Sequence, residues 1–281
     1  MIMQFKKALN LGAFFLLYVF STLQPGYATT CSADRISPKE ENATVKWVYD
    51  GDTLLLTDKR KIRIIGIDTP EVKHHQQAAQ AYGAKAKEAL RALLKKHHYH
   101  ILLRHGKEKT DRYGRELAHV FLPDHTNIST WLLERGYAKT MAIPPNVALA
   151  DCYKQAEKDA QRQALRIWRQ DSLAIKKADN LSYSKKGFVR LMGKVIKIIH
   201  HKKSYILELD SDTKSHIQLK IRKKHWRYFD MDKLDKLTDR KIKVSGVLKN
   251  RRGKRILYLS HSSQLEIIPI NRIKPTIKWS L

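Results

Sequence analysis

Three short segments carry the side chains best suited to chemistry. The first is Asp50-Gly51-Asp52-Thr53. The second runs from Arg63 through Asp68-Thr69-Pro70 to Glu71, and the third is Thr110-Asp111-Arg112-Tyr113-Gly114-Arg115. Carboxylates, backbone carbonyls and waters are the oxygen donors that a hard cation such as Ca²⁺ accepts. A guanidinium forks onto two phosphate oxygens and keeps its charge. Asp52 and Asp68, taken with Arg63 and Arg115, could therefore hold a cation and a phosphate diester in one place. Such a site stabilises the charge that builds on the phosphate oxygens during hydrolysis. Glu71 lies three residues beyond Asp68, across the rigid Pro70, where it could orient a water.

Each piece also has an ordinary reading. Asp and Gly favour turns, so D-G-D alone is a turn signal. A lone arginine in so basic a chain is usually a surface charge. The conjunction carries the argument. Asp52 opens one strand-like run and Asp68 closes another, and adjacent antiparallel strands could bring the two together. Gly114 permits the tight bend that aims Arg115.

The elements that must position these groups are legible in outline. Residues 45–48, 53–56 and 61–67 read as short strands, the last ended by Thr69-Pro70, since proline cannot continue inside a sheet. Ala86, Leu90, Leu93 and Leu94 recur at helical spacing and predict a helix over 78–96. Residues 99–103 and 117–122 read as strands around the Asp111–Arg115 turn. A short helix through Trp131 stops at Gly136, and a third spans about 149–167, with Cys152, Ala156 and Ala160 on one side. Five short strands with turn signals predict a small barrel.

Composition changes after Trp168. Residues 173–186 are polar, basic and without period, and read as a linker. Strand patterns resume at 187–199, 205–209, 216–222, 241–248 and 255–259, with a helix-like stretch at 225–236. Five strands around one helix is the economy of an OB-type barrel. Lys220, Arg222, Arg251 and Arg252 are its nucleic-acid-binding candidates, interleaved with Trp226, Tyr228 and Phe229. The bland alternative is a solubilising basic face over core aromatics.

Lys and Arg total 55 against 27 Asp and Glu, a formal charge of +28 over 281 residues. That excess suits a polyanion, either nucleic acid or an anionic membrane surface, and by itself says nothing of catalysis. Lys6-Lys7, the apolar run 11–23 and Gly26-Tyr27-Ala28 read as a cleaved signal peptide over residues 1–28, placing the protein in a periplasm or outside the cell. No stable membrane insertion is expected after its removal, and a monomer is the default. Cys31 and Cys152 are the only cysteines. Export would let them pair, and two unpaired thiols are the equal alternative. The histidine pairs 74–75, 97–98 and 200–201 read as solvated positions.

The acid and arginine segments, in this order and at these spacings, resemble the thermonuclease family of the staphylococcal-nuclease type. The resemblance spans residues 45–169 and includes Tyr82-Gly83 and Ile167-Trp168. It implies an α+β, mainly β domain over residues 29–172, built as a five-stranded OB barrel with three helices. The second, OB-like barrel would occupy 187–281. The resemblance further implies Ca²⁺-dependent hydrolysis of DNA and RNA leaving 3′-phosphate ends, with Mg²⁺ or another divalent ion as alternatives. By that resemblance Asp52, Asp68 and the Thr69 carbonyl ligate the metal, and Glu71 positions or deprotonates the water. Arg63 and Arg115 bind the scissile phosphate, and Arg112 and Tyr113 line the nucleotide site. One departure stands out: residues 140–145 lack the tyrosines that contact the nucleotide in the family type. A non-catalytic nucleic-acid-binding protein on the same fold is the alternative function.

Overall fold

The computed structural model describes residues 31, 36, 38–72, 78–179, 181–210 and 216–269. The expected signal peptide lies outside the described residues. Among them, no helix is long and apolar enough to cross a membrane.

The N-terminal half closes a five-stranded barrel. Its strands are β1 (Glu41–Val48), β2 (Thr53–Leu56), β3 (Lys61–Ile64), β5 (His100–Thr110) and β6 (Glu116–Phe121), joined in the cyclic order β1-β2-β3-β6-β5. The chain is not one strand from 61 to 67, as its apolar run suggests. It breaks at Ile65-Gly66 and resumes as β4 (Ile67–Asp68), which pairs with β7 (Lys139–Thr140). Gly66 causes the break. Its φ of 89° is open chiefly to glycine, and a Cβ there would sit 2.2 Å from the Tyr153 ring.

Three α-helices pack on this barrel: α1 (Gly83–Lys96), α2 (Ile128–Glu134) and α3 (Ala150–Arg162). Helix α1 buries the expected Ala86, Leu90, Leu93 and Leu94. Burying a leucine is worth roughly 2 kcal/mol, which outweighs the absence of an N-terminal side-chain cap. It starts later than its periodicity suggests, because Tyr82 is left-handed and the residues before it are committed to Glu71. Helix α2 is capped by the Asn127 side chain, which accepts from the Thr130 N–H. Helix α3 ends at Arg162, and the chain continues as a 3₁₀ turn at Arg166–Arg169. A disulfide joins Cys31 to Cys152 on α3 and resolves the cysteine question in favour of pairing.

The second barrel is built from β9 (Gly187–His201), β10 (Ser204–Leu209), β11 (Ile217–Arg222), β12 (Lys241–Arg251) and β13 (Lys254–Leu259). Strand β9 is long enough to serve twice. Its first half pairs with β12, closing the barrel, and its second half pairs with β10. The segment expected as a linker is partly structured: β8 (Ile175–Lys177) pairs with β9, and Ala178 and Leu181 are buried in the second core. The helix-like stretch resolves into a 3₁₀ turn at Lys223–Tyr228 and α4 (Met231–Asp235), and β14 (Leu265–Ile267) adds to the edge of β12. Trp226 and Phe229 pack against the core, so these two aromatics are structural.

The two barrels touch through specific contacts. Ser260 Oγ donates to the Ala142 carbonyl at 3.0 Å. The Arg190 guanidinium reaches Gln161 Oε1 at 2.6 Å and the Leu173 carbonyl at 3.0 Å, and lies over the Trp168 ring.

Candidate active site

Register brings the first acid to the first arginine. Thr53 faces Arg63 across β2 and β3, and the Ile64 N–H donates to the Asp52 carbonyl at 2.9 Å. Asp52 is buried and every oxygen of its carboxylate is engaged. Oδ1 lies 3.1 Å from an Arg63 nitrogen and accepts from Thr53 Oγ1 at 3.1 Å. Oδ2 accepts from the Thr69 N–H at 2.8 Å and Thr69 Oγ1 at 3.0 Å. Asp50 supports the turn by accepting from the Asp52 N–H at 3.0 Å. Burial pushes the Asp52 carboxyl up to about 6, Arg63 opposes that rise, and Asp50 and Asp68 add to it.

Asp68 sits in β4 opposite Lys139 in β7. Its Oδ1 lies 3.4 Å from Arg63, and its Oδ2 accepts a short hydrogen bond from the Lys139 ammonium. Arg63 thus bridges the two aspartates. Lys139 is a site group that the sequence did not single out. Its strand is two residues long, too short for a period to show.

Arg115 is held by its own turn. Asp111 accepts from the Arg115 N–H at 3.0 Å and Nε at 2.8 Å, and from the Tyr113 N–H at 2.9 Å. Partial burial raises the Asp111 carboxyl, but these donors and the Arg115 charge outweigh it and hold the group below its usual range. Gly114 has φ 74°, as the bend requires. Arg115 also reaches Thr53 Oγ1 at 3.5 Å. Thr53 therefore links the Arg115 turn to the Asp52–Arg63 pair. Arg112 and Arg115 both lie over the exposed Tyr113 ring, at 4.7 and 5.4 Å from its centre.

Glu71 is exposed at the rim. Its backbone is pinned from both sides: its N–H donates to Gln80 Oε1 at 3.2 Å, and its carbonyl accepts from the Gln80 N–H at 2.9 Å. Gly83 explains the Tyr-Gly at the start of α1. A Cβ there would meet the Glu71 carbonyl oxygen at 2.3 Å.

Among the described residues, no group of three or more His, Cys, Asp or Glu side chains is disposed to hold a metal ion. What the site presents is an all-oxygen set: the Asp52 and Asp68 carboxylates and the adjoining Thr69 backbone. That chemistry fits a hard cation completed by water, and does not fit a site built on nitrogen or sulfur. Arg63 and Lys139 lie on these carboxylate oxygens.

A family model described as "Staphylococcal nuclease homologue" matches residues 61–170. A thermonuclease of Staphylococcus intermedius is 37% identical over 134 residues, covering 46% of this chain and 76% of the relative. The chain belongs to the staphylococcal nuclease family. A thermonuclease of Staphylococcus hyicus is 32% identical over 140 residues, covering 49% of this chain and 81% of the relative. The endonuclease YncB of Bacillus subtilis is 28% identical over 143 residues, covering 50% of this chain and 67% of that protein. These matches cover about half of the chain. The staphylococcal nuclease match contains Arg63, Asp68, Glu71, Arg112, Tyr113 and Arg115, whereas Asp52 lies before it.

The second-barrel candidates divide. Arg222 and Arg251 line a cleft that also contains Asp68, Thr69 and Glu71, and Lys220 and Arg252 are not among its lining residues. Lys220 lies two residues back from Arg222 along β11, and Arg252 sits in the β12–β13 hairpin turn with φ 48°.

Proposed function

We propose that this protein is an exported nuclease that hydrolyses phosphodiester bonds of DNA, RNA or both with a divalent cation, Ca²⁺ first and Mg²⁺ next, leaving 3′-phosphate ends. The observation that carries it is the linked set Asp52–Arg63–Asp68, joined through Thr53 to Arg115, with Glu71 lining one cleft with Asp68. Membership of a family whose named relatives are thermonucleases and endonucleases supports it. The Cys31–Cys152 disulfide and the leader-like N-terminus support export.

In this reading Asp52, Asp68 and the Thr69 carbonyl hold the cation, which supplies charge stabilisation at the phosphate. Glu71 orients the attacking water and accepts its proton. The Arg63 and Arg115 guanidiniums bind the phosphate oxygens and stabilise the five-coordinate transition state. The bond from phosphorus to the 5′-oxygen breaks. A solvent proton reaches the leaving oxygen, because a guanidinium hardly deprotonates. Arg112 and Tyr113 line the approach.

The test is cleavage of single- and double-stranded DNA and RNA by purified protein. Activity with Ca²⁺ or Mg²⁺ that stops with a chelator is expected. Glu71→Gln and Arg63→Ala should each lower kcat by on the order of 10²–10³ with the circular dichroism unchanged. Unchanged turnover in both variants would sink the mechanism, and salt-sensitive binding without cleavage under any metal would favour the non-catalytic alternative.

A further inference from the structure

The departure at residues 140–145 leaves the nucleotide face of the first barrel without the expected tyrosines. Met141 and Ile143 stand there instead, with Ile143 58% exposed. Across from them the second barrel closes a cleft of about 890 Å³, whose floor reaches Asp68 and Glu71. Its far wall has a regular origin. Strand β12 alternates, with Val244, Gly246 and Leu248 buried. The other face carries Ser245, Val247, Lys249 and Arg251, and all four line the cleft. From Ser245 to Arg251 that face extends roughly 20 Å at about 3.4 Å per residue.

Strand β13 beside it adds Tyr258, and β11, the next strand over, adds Arg222, with the guanidinium 4.8 Å from the ring centre. Phe188 faces Val247 across the β9–β12 register and lies under the Lys139 ammonium at 5.2 Å. Among the described residues, the acids lining the cleft are Asp68 and Glu71, against Lys139, Arg222, Lys249 and Arg251. The salt bridges of the second barrel among the described residues involve Lys194, His200 and Lys243 instead. The cations of the far wall are thus available to an anionic ligand, and the same cleft reaches Asp68, Thr69 and Glu71, of which Asp68 pairs with Arg63.

We propose that this cleft is an extended substrate groove, in which the second barrel binds the single strand flanking the scissile phosphate. Arg222, Lys249 and Arg251 contact successive phosphates, while Tyr258 and Phe188 offer ring faces to bases in place of the missing tyrosines. The inference rests on the nuclease reading above. Strand length then becomes a determinant of specificity: a dinucleotide, with one phosphodiester, fills the catalytic end alone, whereas a longer strand reaches the far wall.

The experiment compares kcat/KM on a dinucleotide and on a single strand of roughly 20 nucleotides, a length within reach of one or two such barrels. In the full chain, Arg222→Ala/Lys249→Ala/Arg251→Ala should lower the ratio of long- to short-substrate kcat/KM at least about tenfold, mainly through KM. The salt dependence of long-strand binding, measured by fluorescence anisotropy with inactive Glu71→Gln as the background, should flatten. Each lost phosphate contact removes about 0.7 from the slope of log K against log salt, so three remove about 2. The double variant Lys202→Ala/Lys203→Ala removes exposed charge outside the cleft and should leave the ratio near wild type. An unchanged ratio and slope in the triple variant overturns the groove, as does an equal effect of the Lys202/Lys203 control. Wild-type protein that cleaves neither substrate refutes the nuclease reading instead, and the anisotropy arm still decides whether the cleft binds a strand.

Discussion

Buried His119 makes the stability of the first barrel depend on pH in a calculable way. It is 1% exposed on β6, and its Nδ1 lies 2.8 Å from the Tyr153 hydroxyl. Asn127 Nδ2 donates to that same hydroxyl oxygen at 3.2 Å, which leaves the tyrosine proton free to be donated to the imidazole. Burial keeps the ring neutral and lowers its pKa from 6.5 to about 4. The unfolded chain takes up a proton near 6.5 that the folded protein refuses until about 4. Stability is thus fully present above pH 6.5 and is lost as pH falls towards 4. Between pH 7 and pH 5 the loss is about 2 kcal/mol, and it approaches about 3 kcal/mol at the acid limit. Asp52 acts with the opposite sign, because its folded pKa of about 6 lies above the unfolded value. The wild-type profile mixes the two, so the informative quantity is a difference. His119→Gln keeps a hydrogen-bond acceptor and does not titrate. Its stability, measured by denaturant unfolding, should fall less between pH 7 and pH 5 than that of wild type, by about 2 kcal/mol. Parallel pH profiles for the two proteins would refute the reasoning, as would a His119 imidazole NMR signal, assigned by its loss in His119→Gln, that titrates near 6.5 in the folded state.

Two further outcomes follow from the packing. The disulfide closes a loop with a sequence separation of 121, so Cys31→Ala/Cys152→Ala should lower the stability of the first barrel by about 5 kcal/mol, read as an earlier denaturant midpoint. Oxidised and reduced proteins that unfold at the same denaturant concentration would contradict this. Gly66→Ala combines a left-handed backbone with a methyl directed at the Tyr153 ring and should cost at least about 2 kcal/mol, measured by thermal unfolding.

What the sequence determined is what neighbouring residues decide among themselves. The Asp111 turn carries its own acceptor, its glycine and its arginine within five residues, so the aim of Arg115 is local. Alternation along β11 and β12, and the three- and four-residue spacing of Ala86, Leu90, Leu93 and Leu94, report which face is buried because each follows from backbone geometry alone. That Asp52, Arg63 and Asp68 meet was legible because their segments lie close along the chain and the strands between them are short. The tertiary structure decided the contacts that cross the chain. Lys139 meets Asp68 from 71 residues away, and Ser260 meets Ala142 from 118. His119 is a core histidine only because Tyr153 and Asn127 fold over it. The break at Gly66 depends on the same tyrosine, and the cysteines pair because α3 returns to the start of the barrel. No local period encodes such meetings, since they depend on how β7 and α3 return to the first barrel and, for Ser260, on where the two closed barrels come to rest. The cleft that joins Glu71 to Arg251 is of this kind, with one wall set by each barrel.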